Sequence, residues 1–162
     1  MPDLIEYLSS LNEQSLIMGV GNPLRGDDGF GPELIKSLCG KTRVKLLDGG
    51  ETPEDMLDQV VQMAPSRLVI ADAVALGGMP GDAALLESNQ LGKRIAVSTH
   101  NLSLLMLIKC LQEKLPGMDI KILGVQPKSI DFGRGLCPEV VTTLKNLSGM
   151  IGADGNDIDQ RP

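Results

Sequence analysis

The sequence is poor in aromatic residues, with no Trp, one Tyr and two Phe among 162 residues. Proteins that bind single-stranded nucleic acid stack bases on aromatic side chains, so the composition argues against such a platform. Lys and Arg are scattered without a basic run, and the formal net charge of −6 repels phosphate backbones. We therefore expect no nucleic-acid partner and favour a protein or small-molecule partner.

Long apolar runs and paired cysteines are missing as well. No stretch approaches the ~18 apolar residues of a membrane-spanning helix, and the N-terminus shows no basic segment followed by a signal-type apolar stretch. Cys39, Cys110 and Cys137 lie far apart without a C-x-x-C pair, which argues against a thiolate zinc site and suits a reducing compartment. We expect buried, unpaired thiols and a cytoplasmic location.

The chain does contain a regular alternation of strand-like and helix-like segments. Strands are predicted at 15–21, 43–48, 66–74 and 119–127, and helices at 32–39, 53–63, 102–115 and 138–151. This alternation predicts a three-layer α/β/α domain. Segment 82–87 follows a glycine-rich turn and is short enough for a hairpin return, so it could run antiparallel to its neighbours.

Polar residues, most of them acidic, collect where the predicted strands end. Ligands of α/β domains bind beyond the carboxyl ends of the strands. The residues at these ends are Asn22, Asp27, Asp28, Asp48 and Asp72. The stretch GVGN at 19–22 lacks the third glycine of a G-x-G-x-x-G dinucleotide fingerprint, because residue 24 is Leu. Nucleotide binding is therefore a weak hypothesis.

Three segments could contribute to one metal site. One of the adjacent acids Asp27 and Asp28 could cap the following helix, but the second adds like-charge repulsion unless a cation or proton relieves it. Asp72 ends the apolar run RLVIAD, and His100, the only histidine, precedes the longest predicted helix. Two carboxylates and an imidazole suit a divalent metal of borderline character. Purely structural roles remain open, whereas a Ser nucleophile is disfavoured because no G-x-S-x-G elbow is present.

Six motifs in register extend this interpretation: VGNPLRGDDGFGPEL, LLDGGETPED, RLVIADAV, MPGD, STHNLSL and ILGVQP. Together they resemble the hydrogenase maturation endopeptidases, particularly those that serve membrane-bound nickel–iron hydrogenases of the formate-hydrogenlyase type. The resemblance implies a phosphorylase/hydrolase-like α/β fold with a mixed, mostly parallel five-stranded sheet. It also implies an aspartic-type endopeptidase that removes the C-terminal extension of a hydrogenase large-subunit precursor after nickel insertion, cutting behind a basic residue.

The same resemblance assigns roles to individual residues. It implies Asp28, Asp72 and His100 as nickel ligands, with Asp28 and Asp72 as candidate catalytic groups. Asp27, Asn22 and Asn101 would be helix caps or would hold the ligands in place. Two carboxylates and one imidazole lack the thiolates that retain nickel, so we expect the bound precursor to supply the metal. A non-catalytic nickel-sensing or carrier module would use the same three ligands and remains the alternative.

The predicted organisation is one domain with short flanking segments. Residues 1–14 form an N-terminal extension, which could include a small helix, because about a dozen residues precede the point where shorter members of the family begin. Residues 15–151 form the single α/β/α endopeptidase domain, and residues 152–162 a flexible tail. We expect the protein to act as a monomer.

Overall fold

The computed structural model describes residues 3–91 and 97–152, which fold around a mixed sheet. Its strands are β1 (Ser15–Val20), β2 (Lys45–Gly50), β3 (Arg67–Ala75), β4 (Ala83–Glu87), the short β5 (Val97–Ser98) and β6 (Asp119–Val125). Five strands follow the order β2-β1-β3-β6-β4, and β5 pairs with the end of β3. The first four strands in that order are parallel, and β4 runs antiparallel to β6. The predicted mixed five-stranded α/β fold is confirmed.

Helices cover both faces of this sheet. On one face lie α1 (Leu4–Ser9), α2 (Phe30–Leu38) and α5 (Pro138–Gly152), and on the other lie α3 (Leu57–Met63) and α4 (Asn101–Lys114). Because both faces are covered, β1 is buried at every position and β3 from Leu68 to Val74. Continuous apolar sequence is typical of strands in this position.

The N-terminal segment is helical and belongs to the main core. Leu8 and Leu11 are fully buried, in the same cluster as Leu147 and Ile151 of α5. Burying a leucine side chain stabilises a fold by roughly 1.5–3 kcal/mol. The segment before β1 therefore contributes to the stability of the domain. At the other end, the predicted tail 152–162 begins one residue too early, since α5 ends at Gly152; residues 153–162 lie outside the described residues.

Several local predictions differ from the structure. Segment 82–87 runs antiparallel to its neighbour, as predicted, but it forms no hairpin with β3, because β1 and β6 occupy both edges of β3 and β4 pairs with the far side of β6. The predicted helix 53–63 begins as a 3-10 turn, Pro53–Met56, in which Pro53 occupies the first turn, where an N–H would have no partner within the helix. The cysteines are not buried: Cys39 is exposed and the other two are half-buried.

None of the described helices is long and apolar enough to span a membrane.

Glycines bring the β1–α2 connection close to the sheet. A Cβ atom at Gly31 would overlap the carbonyl oxygens of Val20 and Ala71, so α2 begins in backbone contact with β1 and β3. Gly21 has a φ of 140°, which disfavours other residues, and a Cβ there would overlap the carbonyl oxygen of Asp28. The glycines of this stretch therefore serve close packing of the turn that carries Asp28.

Candidate metal centre

Three ligand-type side chains meet at the carboxyl ends of the central strands. Asp28 lies in the 3-10 turn Gly26–Gly29 before α2, Asp72 lies in β3, and His100 directly precedes α4. Each offers one ligand atom, and these atoms all lie within 4.8 Å of one another. Asp28 and Asp72 are fully buried and His100 is 9% exposed. Of the two adjacent acids, it is Asp28 that joins this cluster.

Asp72 has one satisfied and one unsatisfied oxygen. Its Oδ2 accepts a hydrogen bond from the Ser98 hydroxyl. Its Oδ1 is buried, has no hydrogen-bond partner within the described part of the chain, and lies 3.5 Å from His100 Nδ1. Burial raises the pKa of Asp72, although His100 and Ser98 oppose the shift. An unsatisfied buried acceptor costs ~1–3 kcal/mol, and a cation bound to Oδ1 would remove that cost.

Thr99 connects the other two members of the cluster. Its hydroxyl donates to Asp28 Oδ1 at 3.1 Å and lies 3.1 Å from His100 Nδ1. Because the hydroxyl proton is directed to Asp28, the oxygen is free to accept a hydrogen bond from Nδ1–H. That tautomer leaves the lone pair of Nε2 available to a metal. Thr99 was not among the site residues predicted from the sequence.

The charge environment of His100 is acidic. Burial alone would lower the pKa of the imidazole, but Asp72, followed by Asp28 and Glu51, raises it above its ordinary value. The same three carboxylates would attract a metal cation to this end of the sheet.

Asn22 and Asn101 hold the site in place through backbone contacts. The N–H of Asn22 donates to Asp28 Oδ2 at 2.9 Å, and its side-chain oxygen accepts from Leu24 N at 2.9 Å. The side-chain oxygen of Asn101 accepts from Ser98 N at 2.8 Å. Asn22 thus orients one carboxylate directly, whereas Asn101 fixes the serine that contacts Asp72.

Asp27 makes contacts that local sequence did not predict. Neither acid caps α2, since no side-chain cap bond forms at the start of that helix or of the preceding turn. Instead, the Asp27 carboxylate accepts backbone N–H groups from the segment between β6 and α5: Lys128 at 2.8 Å, Ser129 at 3.3 Å and Cys137 at 2.7 Å. These partners lie about a hundred positions along the chain, so only the folded structure reveals them.

A cavity of about 280 Å³ gives access to Asp28. Its wall from β3 consists of Ala73 and Ala75, and its other lining residues are Ser98, Thr99 and residues 127–130. Residues 127–130 were absent from the predicted site, and their only sequence signal is that they directly follow a strand.

Comparisons with known proteins agree with the fold and identify the family. The model of the hydrogenase maturation protease (HycI) family matches residues 32–153. The Hydrogenase 3 maturation protease of Escherichia coli K12 is 30% identical over 146 residues, covering 86% of this chain and 92% of that protein.

Solved structures give the same result. The crystal structure of the nickel–iron hydrogenase maturation protease HycI of Thermococcus kodakarensis superposes with a TM-score of 0.81 at 28% identity, covering 93% of this chain and 97% of that one. The hydrogenase maturating endopeptidase HybD of E. coli gives a TM-score of 0.72 at 25% identity, covering 89% and 93%. This chain is therefore a member of the hydrogenase maturation protease family.

Proposed function

We propose that this protein is the endopeptidase that removes the C-terminal extension of a nickel–iron hydrogenase large-subunit precursor after nickel insertion, cutting behind a basic residue. The observation that carries the proposal is the cluster of Asp28, Asp72 and His100 beside a cavity into which a peptide could enter. Family membership supplies the reaction class, hydrolysis of a peptide bond.

The donor set fits nickel. It combines two carboxylate oxygens with one imidazole nitrogen, which suit a borderline divalent metal. The unsatisfied Oδ1 of Asp72 provides a position that a cation would stabilise. Three ligands fill only part of a nickel coordination sphere and include no thiolate, so they suit an ion that the precursor carries. Nickel is in this sense part of the substrate, and when bound it would supply a Lewis acid and a docking point.

The two carboxylates differ in their access to the peptide. Asp28 lines the cavity, where it is held by the Thr99 hydroxyl and the N–H of Asn22. Asp72 is as buried as Asp28 but is not among the lining residues of this cavity, and it contacts His100 and Ser98. Asp28 is therefore the candidate base that takes a proton from the attacking water, as an aspartic-type mechanism requires. Asp72 orients the imidazole and fixes the far side of the ligand cluster.

The proposed setting is the cytoplasm, where the precursor would be processed by a monomer. Three unpaired cysteines suit a reducing compartment. The candidate site needs no second subunit, since one chain supplies all three ligand side chains.

Processing of a cognate precursor tests the proposal directly. Purified protein is incubated with nickel-loaded large-subunit precursor, and intact-mass spectrometry measures both the shortened precursor and the released peptide. We expect a single cut behind a basic residue, and loss of the reaction with Asp28→Asn. Asp131→Asn, which removes an exposed acid near the cavity, should retain activity. An unchanged precursor mass with the wild-type protein would overturn the proposal.

A nickel-carrier function is the second candidate. The unsatisfied buried Oδ1 of Asp72 favours it, because this atom would attract a cation even without a precursor. Equilibrium dialysis with nickel alone separates the two functions. Tight, stoichiometric uptake without processing would favour a carrier, whereas weak uptake together with processing would favour the endopeptidase.

A further inference from the structure

The carboxylate of Asp27 ties the segment between β6 and α5 to the turn that carries Asp28. It is 1% exposed and accepts the N–H groups of Lys128, Ser129 and Cys137. A backbone bond joins the same two segments, from Asp27 N to Ser129 O at 2.9 Å. Because these contacts involve both oxygens of the carboxylate, the position of the segment is fixed relative to the turn.

The segment held in this way forms part of the cavity beside the ligand cluster. Pro127, Lys128, Ser129 and Ile130 line the cavity that Asp28 also lines. Asp27 and Asp28 are adjacent in one 3-10 turn. This one turn therefore positions both the candidate ligand Asp28 and the wall formed by residues 127–130. A peptide inside the cavity would lie between residues 127–130 and the alanines of β3.

The chemistry of these contacts requires a carboxylate. Three N–H donors approach two oxygens, and a carboxylate has only acceptors to offer them. An asparagine would turn an NH₂ group towards at least one of these donors. The negative charge also lies at the start of α5, where a helix favours it.

We infer that Asp27 is a positioning residue for precursor binding, which holds the wall formed by residues 127–130 at a fixed distance from Asp28. The inference rests on the proposed function. It assigns Asp27 to the peptide-binding cavity and not to the nickel ligands. Loosening this wall weakens binding of the peptide and leaves the three ligand side chains in place.

Asp27→Asn tests the inference, with Asp131→Asn as the matched control. Both variants remove one acid from the same region, but among the described residues the wall contacts Asp131 only through its backbone N–H, not its side chain. With nickel-loaded precursor we expect KM to rise about tenfold for Asp27→Asn and kcat to stay within about twofold, because ground-state positioning is lost. Nickel affinity of the free protein should stay within about twofold for both variants.

The failure of the inference is distinguishable from failure of the proposed function. An inactive wild-type protein would overturn the function, whereas an active wild type with an unchanged KM in Asp27→Asn would overturn the inference alone. A tenfold loss of nickel affinity in Asp27→Asn would also contradict it, since Asp27 would then act through the ligands.

Two further measurements keep the test decisive if Asp27→Asn does not fold. Hydrogen exchange of the wild type should show the amides of Lys128, Ser129 and Cys137 protected, and unprotected amides would refute the tether. Pro127→Gly loosens the same wall without touching the turn, so it should also raise KM. An unchanged KM in that variant would count against the inference.

Discussion

Hydroxyl side chains next to the histidine hold the candidate ligands in place. Ser98 donates to Asp72 and accepts from the N–H of His100 at 2.9 Å, so it joins a strand residue to the start of α4. The Thr99 hydroxyl donates to Asp28 and contacts the imidazole of His100, so it joins the turn before α2 to the start of α4. Groups that orient metal ligands contribute to affinity although they never touch the metal.

Ser98→Ala should therefore weaken nickel binding without removing a ligand. Asp72 Oδ2 loses its donor, so both oxygens of a buried carboxylate become unsatisfied. We expect nickel affinity, measured by calorimetry, to fall by about tenfold. Ser129→Ala is the control, because this serine lines the same cavity and contacts none of the three ligands through its side chain. Equal affinities for Ser98→Ala and the wild type would show that Ser98 does not orient Asp72.

The candidate ligands were predictable to different degrees. Asp72 ends the apolar run of a predicted strand and His100 lies directly before a predicted helix, so their meeting at one end of the sheet could be expected from the sequence. Spacing alone could not decide between Asp27 and Asp28, since the two acids are adjacent and point to different neighbours in the fold. The contacts of Asp27 depend on tertiary packing and have no local pattern.

Among the secondary-structure elements, α2 has the closest contact with the sheet. Gly31 lies within this helix, where glycine is normally unfavourable, and a side chain there would overlap the carbonyl oxygens of two strands. Close packing against the strands, and not a turn conformation of the backbone, therefore requires glycine at this position.

Gly31→Ala and Gly149→Ala should have opposite effects on stability. Both glycines lie in helices, but a Cβ at Gly149 has open space around it. We expect Gly149→Ala to raise the free energy of unfolding by about 0.5–1 kcal/mol, because alanine restricts the unfolded chain. Gly31→Ala should lower it by about 1–3 kcal/mol, the usual cost of overpacking. Denaturant unfolding measures both, and equal effects would contradict the packing argument.

The order of the elements was easier to predict than their pairing. Apolar strands such as β1 and β3 have a strong local signature because both faces are buried. The position of β4 beside β6 depends on which sheet edge remains open after the other strands have paired. That edge is defined only by residues far along the chain.

Across the whole molecule the two ends of the sheet differ in character. The carboxyl ends of the strands carry the candidate site. The opposite end carries an ionic cluster in which Asp119 accepts from Tyr7 at 2.7 Å and pairs with Lys121 at 2.6 Å. This cluster joins α1 to β6, and we expect it to stabilise the fold without affecting processing.

The Asp119 cluster should make stability depend on acid pH. Partial burial would raise the pKa of Asp119, but Lys121, Tyr7 and Arg67 together lower it. A carboxylate with a lowered pKa stabilises the fold above its unfolded pKa of about 3.9, and this contribution is lost as pH falls through the folded value. Asp119→Asn should therefore be less stable than the wild type at pH 7, and the difference should shrink as pH falls below the unfolded pKa and through the lower folded pKa of Asp119.

Denaturant unfolding at several pH values checks this prediction. The expected difference at pH 7 is modest, since the side chain of Asp119 is 39% exposed and solvent screens the pair. Precursor processing by Asp119→Asn at pH 7 should match that of the wild type. A stability difference between the two proteins that grows as pH falls would contradict the predicted direction of the pH dependence.

The most direct measurement compares nickel-loaded and nickel-free forms of the same precursor. Each is incubated with the wild-type protein, and intact-mass spectrometry follows loss of the C-terminal extension. If Asp28, Asp72 and His100 complete the coordination of nickel carried by the precursor, only the loaded form should lose its extension. Equal processing of both forms would contradict the central claim that these three residues check the metal before the peptide is cut.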